Sequence, residues 1–486
     1  MRTTEDESDS IDGEHTDDGF DLSLEGFTNY KYLSEDCIED ENNAALSWNA
    51  YQFIENTDHE SVVYVPDPDV DGEGEFYALD GVKWTNTGQH KLNESLAELL
   101  EKYYSSGIVS NVETYVSGNN RVEPHELGVG DGRVAFQDEI VEIESGERRD
   151  IEPQDYVVRP LQCRYKPESV EYEGSTFAEF IEDCIPDTND RKTLQEFAGY
   201  TLLRGELPYQ KAMMLVGPTN SGKSTFVRTL KALFGTENVM GASLKQLTQQ
   251  FSAYRLDEKL LNVHPDLSGE EIDASHFKVL SGDDMSQVEQ KYKDPKDIHN
   301  TTKLLFAANQ TPEVTNADDA FFGRWLFARF PIERSNDPTD DKPDIDRSIE
   351  QTILDEELPI VANWAIEGYQ RLIDREGFTV EPSPSKARNM WYQNADPVTE
   401  FIHRRVTVVT DDEPTEPLRS AEAVGALKKE LIGSGKHIDV DKRTMTTRIK
   451  QRYPGHDTKN CRIGGKQTKA FPFLRLQPAE RENSEM

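Results

Sequence analysis

Short runs of apolar residues mark several buried strands along this chain. The clearest are 212–216 (AMMLV), 260–263 (LLNV) and 303–308 (KLLFAA). Each is four to six residues long, too short for an ordinary helix, and turn-forming or polar residues bound each of them. These stretches therefore predict three strands of a buried sheet.

Helical spacing of apolar residues alternates with these runs. Residues 225–234 place five apolar side chains on one face, and Gly235 is a typical helix stop. The same spacing predicts helices within 92–104, 175–205, 358–372 and 442–453. Strands mixed with helices in this way predict an α/β protein.

A chain of 486 residues is long enough for about three domains. Changes of pattern, and the Pro-broken stretches near 335–345 and 382–384, suggest the boundaries. The expected segments are an acidic disordered tail (1–19), an N-terminal α+β region (20–165), a helical collar (166–206), a nucleotide-binding core (207–335), a helical lid (336–395), a basic C-terminal module (396–478) and a short tail (479–486).

The charge balance is strongly acidic, with 92 Asp and Glu against 53 Lys and Arg and a net charge of −39. Such a chain repels itself at low salt, and at about 1 M salt a Debye length of about 3 Å removes most of that repulsion. We expect a protein from a salt-loving prokaryotic host; an ordinary protein with an acidic tail is the alternative.

Cysteine spacing and hydropathy indicate the cellular compartment. The four cysteines are far apart, form no C-x-x-C pair and predict neither a zinc ribbon nor a disulfide framework. No stretch reads as a signal peptide or as a membrane span. We expect a cytoplasmic protein with no membrane partner.

The C-terminal module reverses the charge trend. Residues 425–475 carry 13 Lys and Arg against four acidic residues, a net charge of +9, so the rest of the chain carries −48. A basic island on an acidic protein is typical of phosphate contact. The candidate DNA-binding residues lie around the predicted helix: Arg443, Arg448, Lys450 and Arg452. Further cations flank the turn Gly464-Gly465, as in a winged-helix hairpin; a basic face that balances acidic neighbours in an assembly is the alternative.

Residues 217–225 (GPTNSGKST) are the most specific chemical motif in the chain. They match G-x-x-x-x-G-K-[ST] between a predicted strand and a predicted helix. In this arrangement backbone N–H groups surround a phosphate, Lys223 reaches the β- and γ-phosphates and Ser224 offers a hydroxyl to Mg²⁺. The predicted ATP-binding residues are Gly217, Pro218, Thr219, Asn220, Ser221, Gly222, Lys223, Ser224 and Thr225.

Polar residues that follow the other two predicted strands complete the candidate site. Asp266 comes after the strand at 260–263 and can hold Mg²⁺ through water, with Glu270 and Glu271 as the alternatives. Asn309 follows the strand at 303–308 and can orient the attacking water or sense the γ-phosphate; an ordinary turn asparagine is the alternative.

Two arginines lie in the aromatic stretch 321–331 (FFGRWLFARFP). An arginine directed at a phosphoryl group stabilises transition-state charge and can raise the rate about 10³- to 10⁵-fold. Arg324 and Arg329 are the candidates; the alternative for each is a surface arginine whose stem packs on aromatic rings.

At this point the chain resembles the superfamily 3 helicases, specifically the phage/plasmid primase–helicase family and its poxvirus relatives. The resemblance covers roughly 125–480. It rests on four motifs in series: 217–225, Asp266, the segment 277–283 (FKVLSGD) with its continuation 290–295 (QKYKDP), and 303–309. The flanking segments 194–203 (LQEFAGYTLL) and 358–372 (LPIVANWAIEGYQRL) are also similar. The family's usual Gly-Gly-Asp is Ser281-Gly282-Asp283 here.

The resemblance implies a fold and an assembly. The family builds hexameric AAA+ rings from a P-loop core, a parallel sheet with helices on both faces, and binds ATP between subunits. By position, Arg324 would act on the neighbour's ATP. Lys291 and Lys293, with Lys278 as a weaker candidate, would grip single-stranded DNA in the channel.

We therefore expect an ATP- and Mg²⁺-dependent DNA helicase that moves on single-stranded DNA as a homo-hexameric ring and replicates plasmid or viral DNA. Forked DNA and a separate primase or polymerase are the expected partners. Asp67 and Asp69 lack a supporting constellation, so no intrinsic primase activity is expected. The alternatives are a DNA-packaging ATPase without unwinding and an ATP-gated origin-binding protein without motor activity.

Overall fold

The computed structural model describes most of the chain between residues 43 and 477. The described ranges are 43–56, 62–67, 73–130, 132–167, 171–205, 208–247, 256, 259–267, 271–281, 285–288, 296–337, 339–409, 416–433, 440–453 and 455–477. The acidic tail at 1–19, Glu270, Lys291 and Lys293 lie outside them. Contacts divide the chain into two units, one of residues 1–128 and 152–158 and one of 129–151 and 159–486.

The smaller unit combines helices with a three-stranded antiparallel sheet of order β1-β2-β3. Its elements are helix α1 (Asn43–Asn56), strands β1 (Val62–Pro66), β2 (Gly74–Asp80) and β3 (Lys83–Thr85), and helices α2 (Gly88–Leu100) and α3 (Ser106–Asn119). The apolar faces of the three helices share one core with β1 and β2. The helix predicted within 92–104 is thus present as α2.

The larger unit begins with a small antiparallel meander and two helices. The meander is β4 (Arg133–Ala135), β5 (Glu139–Glu142) and β6 (Arg148–Asp150), and the helices are α4 (Thr176–Cys184) and α5 (Thr188–Tyr200). Asp187 caps α5 by accepting hydrogen bonds from the backbone N–H groups of Asn189 and Asp190. These helices confirm the helical pattern predicted within 175–205.

The middle of this unit alternates strands with helices. Its elements are β7 (Ala212–Val216), α6 (Lys223–Phe234), β8 (Val239–Met240), α7 (Leu244–Leu247), β9 (Leu261–His264), β10 (Glu271–Asp273), α8 (Ala274–Leu280), β11 (Met285–Val288), β12 (Lys296–His299), β13 (Lys303–Ala308), β14 (Glu313–Thr315), α9 (Asp319–Gly323) and β15 (Trp325–Arg329). The three strands predicted from apolar runs are β7, β9 and β13.

A five-stranded parallel sheet of order β15-β7-β13-β9-β8 lies at the centre. β7 is an inner strand, with β13 on one side and β15 on the other. The register pairs Val216 with both Ala308 and Arg329, so these three strands end at the same edge. This shared carboxyl edge is where an open parallel sheet binds its ligands.

Helices cover both faces of this sheet. Met213 and Leu215 of β7 point into a core that α4, α5, α6 and the later helix α11 (Leu358–Arg375) complete. Met214 and Val216 point to the other side, where α8, α9 and α12 (Pro384–Gln393) pack. The mixed α/β class is thus confirmed, with a parallel sheet of five strands.

The C-terminal part of the chain is a small mixed module. Its elements are α13 (Pro397–Arg405), β16 (Val406–Val408), α14 (Ser420–Gly433), α15 (Lys442–Arg452), β17 (Lys459–Ile463), β18 (Lys466–Ala470) and β19 (Leu474–Leu476), and α10 (Ser348–Glu356) precedes α11. The helix predicted at 442–453 and the turn at Gly464-Gly465 are both present. Both glycines have positive φ (56° and 81°), as a two-residue hairpin turn requires.

None of the helices within the described ranges is long and apolar enough to cross a lipid bilayer. Three cysteines in those ranges are free thiols: Cys163 and Cys184 are buried and Cys461 is half-buried.

Candidate functional site

The glycine-rich loop 217–225 connects β7 to α6 at the carboxyl edge of the sheet. Gly222 precedes the helix with φ 100°, and a Cβ there would lie 2.4 Å from Sγ of Cys184. A side chain at this position would therefore clash, and glycine allows the loop to turn tightly. Burial raises the pKa of Cys184 to about 11, so its thiol is an apolar support beneath the loop.

Lys223 is folded back into the loop. Its Nζ donates to the carbonyl oxygens of Gly217 and Pro218, each at 2.7 Å, and to Oγ of Ser221 at 3.2 Å. A fourth hydrogen bond reaches Oδ1 of Asn309 at 3.1 Å. Burial lowers the pKa of Lys223 to about 8, and the negative charge of Asp266 opposes that shift. The lysine thus contacts the loops that follow β7 and β13 and is influenced by the charge of Asp266, which follows β9.

Asn309 and Asp266 extend the site along the sheet edge. Asn309 follows β13, is exposed, and donates through Nδ2 to Oγ1 of Thr219 at 3.3 Å. Asp266 follows β9 by two residues and is also exposed, with Pro265 directly after the last residue of the strand. Glu271, one of the alternatives to Asp266, belongs to β10, which pairs with β14 outside the five-stranded sheet.

A cavity of about 1020 Å³ opens over these groups. The residues that line it come from the loop, from Asp266 and Asn309, and from three segments not predicted to contribute: the end of α4, the chain after β15, and the start of α10. Apolar side chains in these segments are Phe180, Ile332, Ile345 and Ile349. A cavity of this size can hold a drug-sized ligand, and most of the other residues that line it are polar or charged.

Sequence reasoning missed Arg334. It lies five residues beyond β15, lines the cavity, and donates from its guanidinium to the Ser221 carbonyl oxygen at 3.5 Å. It lies in a charged, proline-broken stretch without periodicity, so no sequence signal separated it from ordinary surface arginines.

Sequence reasoning also missed Glu350 of α10, which joins that helix to α6. Its carboxylate accepts hydrogen bonds from Oγ1 of Thr225 at 3.1 Å and from Nε of Arg228 at 2.6 Å. The hydrogen bond from Arg228 lowers the pKa of Glu350, so the contact is strongest when this carboxylate is charged. The contact holds α10 over the mouth of the cavity.

The residues present fit a magnesium–triphosphate. The Ser224 side chain is exposed at the cavity, and the Asp266 carboxylate lies near enough to act electrostatically on Lys223. Mg²⁺ usually keeps several waters and takes only one or two protein ligands beside the substrate phosphates. Within the described ranges no cluster of three or more His, Cys, Asp or Glu offers an all-protein metal site.

The two arginines of 321–331 lie at opposite ends of strand β15. Arg329, at the carboxyl end of β15, donates to Asp190 (2.7 Å from Nε) and Asp187 (3.1 Å), so it anchors the start of α5. Arg324 precedes β15, is half-buried, and donates to the Ala320 carbonyl oxygen at 3.4 Å. The register pairs Arg329 with Val216 at the loop end, so Arg324, five residues earlier, is about 16 Å from that end along the strand.

The loop that follows Asn309 is tied to α12. Thr311 donates two hydrogen bonds to that helix and the residue after it: its backbone N–H donates to the Asn394 carbonyl oxygen at 2.8 Å, and its Oγ1 donates to the carbonyl oxygen of Trp391. Trp391, which is fully buried, donates its indole N–H to the Pro312 carbonyl oxygen at 3.0 Å. Helix α12 leads directly into the basic C-terminal module.

The predicted DNA-binding residues of α15 are mostly engaged within the chain. Arg448 pairs with Glu313, and Lys450 pairs with Asp457 at 2.5 Å. Arg452 stacks on Tyr392 at 4.9 Å and on Tyr453 at 5.1 Å. Arg443 is exposed. Lys278 of α8 pairs with Asp318 at 2.7 Å.

Fold and site together define an α/β protein whose parallel sheet carries a phosphate-loop sequence at the end of an inner strand. Residues 43–186 match a family model described as D5 N terminal like. Residues 215–324 match the model of a family of unknown function, DUF5906. These two regions in this order agree with the domain architecture of the phage and viral primase–helicases that the motifs indicate.

Solved structures with some likeness include two of the NrS-1 C terminal region in its apo state. The A form is 14% identical, with 85% of this chain and 96% of that chain covered and a TM-score of 0.43. A second apo structure of that region is 12% identical with the same coverage and a TM-score of 0.39. These TM-scores are too low to support an inference about fold or activity.

Proposed function

We propose that this protein is an ATP-dependent DNA helicase of the superfamily 3 type, which moves along single-stranded DNA as a homo-hexameric ring in plasmid or viral replication. The five-stranded sheet is then an AAA+ P-loop core, and the C-terminal module is a winged-helix-like DNA-binding element. The strongly acidic surface suits a cytoplasm of high salt.

One observation carries the nucleotide-binding part of this proposal. Lys223, Asn309 and Asp266 come from the carboxyl ends of three adjacent parallel strands or the loops after them, and they lie at one cavity. A glycine turn of structural origin would not require a lysine, an amide and a carboxylate at the same edge. Phosphate binding and hydrolysis require all three.

Each group has a role in the proposed reaction. The loop N–H groups and Lys223 would bind the β- and γ-phosphates once Lys223 leaves the carbonyl oxygens that it now contacts. Asn309 would then orient the attacking water. Arg334 would add a second positive charge from the same chain. Ser224 and Asp266 would hold Mg²⁺, which when bound neutralises developing phosphate charge.

Arg324 would complete the site of a neighbouring subunit. About 16 Å along the strand separates it from the end that carries its own phosphate loop, which is farther than an arginine side chain extends. Arg329, at the loop edge, is already held by two aspartates. Arg324 lies at the amino end of the parallel strands and the loop at their carboxyl end, and this separation supports a site shared between chains.

Unwinding of a forked duplex at high KCl tests the proposal. We expect the wild-type protein to hydrolyse ATP and separate the strands, and Lys223→Ala and Arg324→Ala each to lose at least about 10³-fold in hydrolysis. Arg375→Ala, at an exposed arginine of α11 away from the cavity, is the matched control and should behave as wild type.

Mixing the two inactive variants tests the shared site directly. A mixed ring has some seams in which both the lysine and the arginine are intact, so hydrolysis should recover in part. Hydrolysis without strand separation would instead favour a packaging or translocating ATPase. Replication that survives Lys223→Ala but not deletion of 396–478 would favour an origin-binding protein without motor activity.

A further inference from the structure

The cations of the C-terminal module differ in what surrounds them. On α15, Arg448, Lys450 and Arg452 are occupied by a carboxylate, a second carboxylate and two aromatic rings. A phosphate would have to displace these contacts before it could bind. The hairpin formed by β17 and β18 also carries cations, and two of them form no such contact within the part of the chain that the structure describes.

The register of this hairpin sorts its side chains into two faces. Asn460 pairs with Lys469 and Arg462 pairs with Gln467, and alternation along each strand places these four side chains on one face. All four are exposed. The opposite face carries Cys461, Ile463, Thr468 and Ala470, which are half-buried or buried, together with Lys459 and Lys466.

The first face carries positive charge that no acidic residue of the hairpin offsets. Residues 459–470 contain four Lys and Arg and no acidic residue, in a chain whose net charge is −39. Within the described ranges, neither Arg462 nor Lys469 forms an ion pair, whereas Lys450 on the neighbouring helix does. The two cations are available to an external anion, and two amide side chains beside them can donate further hydrogen bonds.

We propose that this polar face of the hairpin, formed by Asn460, Arg462, Gln467 and Lys469, docks on the sugar–phosphate backbone of duplex DNA. Lys, Arg, Asn and Gln are among the side chains that donate hydrogen bonds to phosphate oxygens of the DNA backbone. Proteins that hold single strands add aromatic platforms on which bases stack, and this face has no aromatic residue. The face therefore fits a duplex better than a single strand.

The inference rests on the proposed function only in taking DNA as the substrate; it does not depend on ATP hydrolysis. The hairpin turn is held by Gly464-Gly465, and its exposed face is remote in sequence from the phosphate loop.

Binding of the full-length protein to a short fluorescent duplex, without nucleotide, tests the proposal over a series of KCl concentrations. Arg462→Glu/Lys469→Glu removes both cations of the polar face. The matched control, Lys459→Glu/Lys466→Glu, makes the same change in charge on the other face. Circular dichroism and thermal unfolding establish that both variants are folded.

We expect the polar-face variant to lose about tenfold or more in duplex affinity and to flatten the slope of log affinity against log salt by about 1.8, or 0.9 for each lost phosphate contact. The control should lose much less. Equal losses in both variants, or none in either, would overturn the proposal. So would a loss confined to single-stranded DNA.

The duplex-binding proposal and the helicase proposal can fail independently of each other. Wild-type protein that unwinds forks but binds duplex regardless of the polar face would leave the helicase standing and remove the hairpin inference. Wild-type protein that neither hydrolyses ATP nor unwinds, yet depends on Arg462 and Lys469 for duplex binding, would remove the helicase proposal and leave the hairpin inference standing.

Discussion

At the scale of single residues, the most informative group is Lys223. It is 6% exposed and makes four hydrogen bonds to neutral oxygens, while only Asp266 provides an opposing charge. Burial without a direct ion pair disfavours the ammonium form, which is why the pKa falls to about 8. A bound triphosphate would reverse this by placing negative charge beside the lysine.

If the loop binds a nucleotide as proposed, we expect this shift in the pKa of Lys223 to make the binding dependent on pH. Below about pH 8 the lysine already carries its proton, so binding should take up none; above about pH 8 it should take up close to one proton at Lys223. ATP affinity should therefore fall as pH rises through 8, by up to tenfold per unit. Calorimetry in two buffers of different ionisation enthalpy measures the uptake.

Lys223→Arg is the matched control, because a guanidinium stays protonated throughout this range. It should bind ATP without the proton uptake above pH 8. Equal uptake in the variant and the wild type would assign the proton to another group and contradict the prediction.

At the scale of elements, the segment from β13 to α12 is the best-defined connection to the site. Thr311 is 5% exposed and lies two residues beyond Asn309, and its hydroxyl donates to the carbonyl oxygen of Trp391. The indole of Trp391 returns a hydrogen bond to Pro312. The position of Asn309 thus depends on a helix from a distant part of the sequence.

Thr311→Val keeps the shape of the side chain and removes its hydroxyl. The Trp391 carbonyl oxygen loses a buried partner, so we expect a loss of about 1–3 kcal/mol in the free energy of unfolding. We also expect ATP turnover to fall, because the loop that carries Asn309 loses its tether. Denaturant unfolding and steady-state hydrolysis measure the two effects.

Thr315→Val provides the comparison. Its hydroxyl donates to the Ile272 carbonyl oxygen at 3.3 Å from a half-buried position in β14, so it changes one similar hydrogen bond away from the loop. If both variants slow hydrolysis equally, the tether has no special relation to Asn309.

Elements with a local signal could be predicted from the sequence. Strands β7, β9 and β13 read as apolar runs because they are buried on both faces, and Gly235 ends α6 where expected, with φ 80°. The loop 217–225 could be singled out as a candidate phosphate loop because that motif has defined residue types at fixed spacing. The hairpin at Gly464-Gly465 followed from turn chemistry alone.

Features that depend on distant partners could not be predicted. Sheet order depends on the pairing of β7 with β13 and β15, each about 90 or more residues away in sequence. Arg334 lies in a charged stretch without periodicity, and Glu350 of α10 contacts Thr225 and Arg228, which are 125 and 122 residues away in sequence. Arg452 was a candidate DNA contact, and only the fold reveals the ring of Tyr392 stacked beneath its guanidinium.

At the scale of the whole molecule, the net charge of −39 sets the conditions for any contact with DNA. Each phosphate contact loses roughly 0.9 log units of affinity per tenfold rise in salt. Electrostatic contacts alone would therefore release DNA at molar salt. A closed ring around one strand stays attached by topology.

Retention on DNA at molar KCl tests this reading of the assembly. Protein loaded on circular single-stranded DNA should remain bound when salt is raised, whereas protein on a short linear strand of the same composition should slide off and be lost within minutes. Size-exclusion chromatography separates the bound and free protein. Equal loss from both strands would contradict a closed ring.

The placement of Arg324 across the sheet from the phosphate loop has a consequence for how damage would spread. In the proposed ring each copy would be donor to one neighbour and recipient from the other. A defective lysine would silence the copy that carries it, whereas a defective arginine would silence the copy next door. The two kinds of variant would therefore differ in genetic dominance as well as in catalytic rate, because the lysine and the arginine lie at opposite ends of the parallel strands.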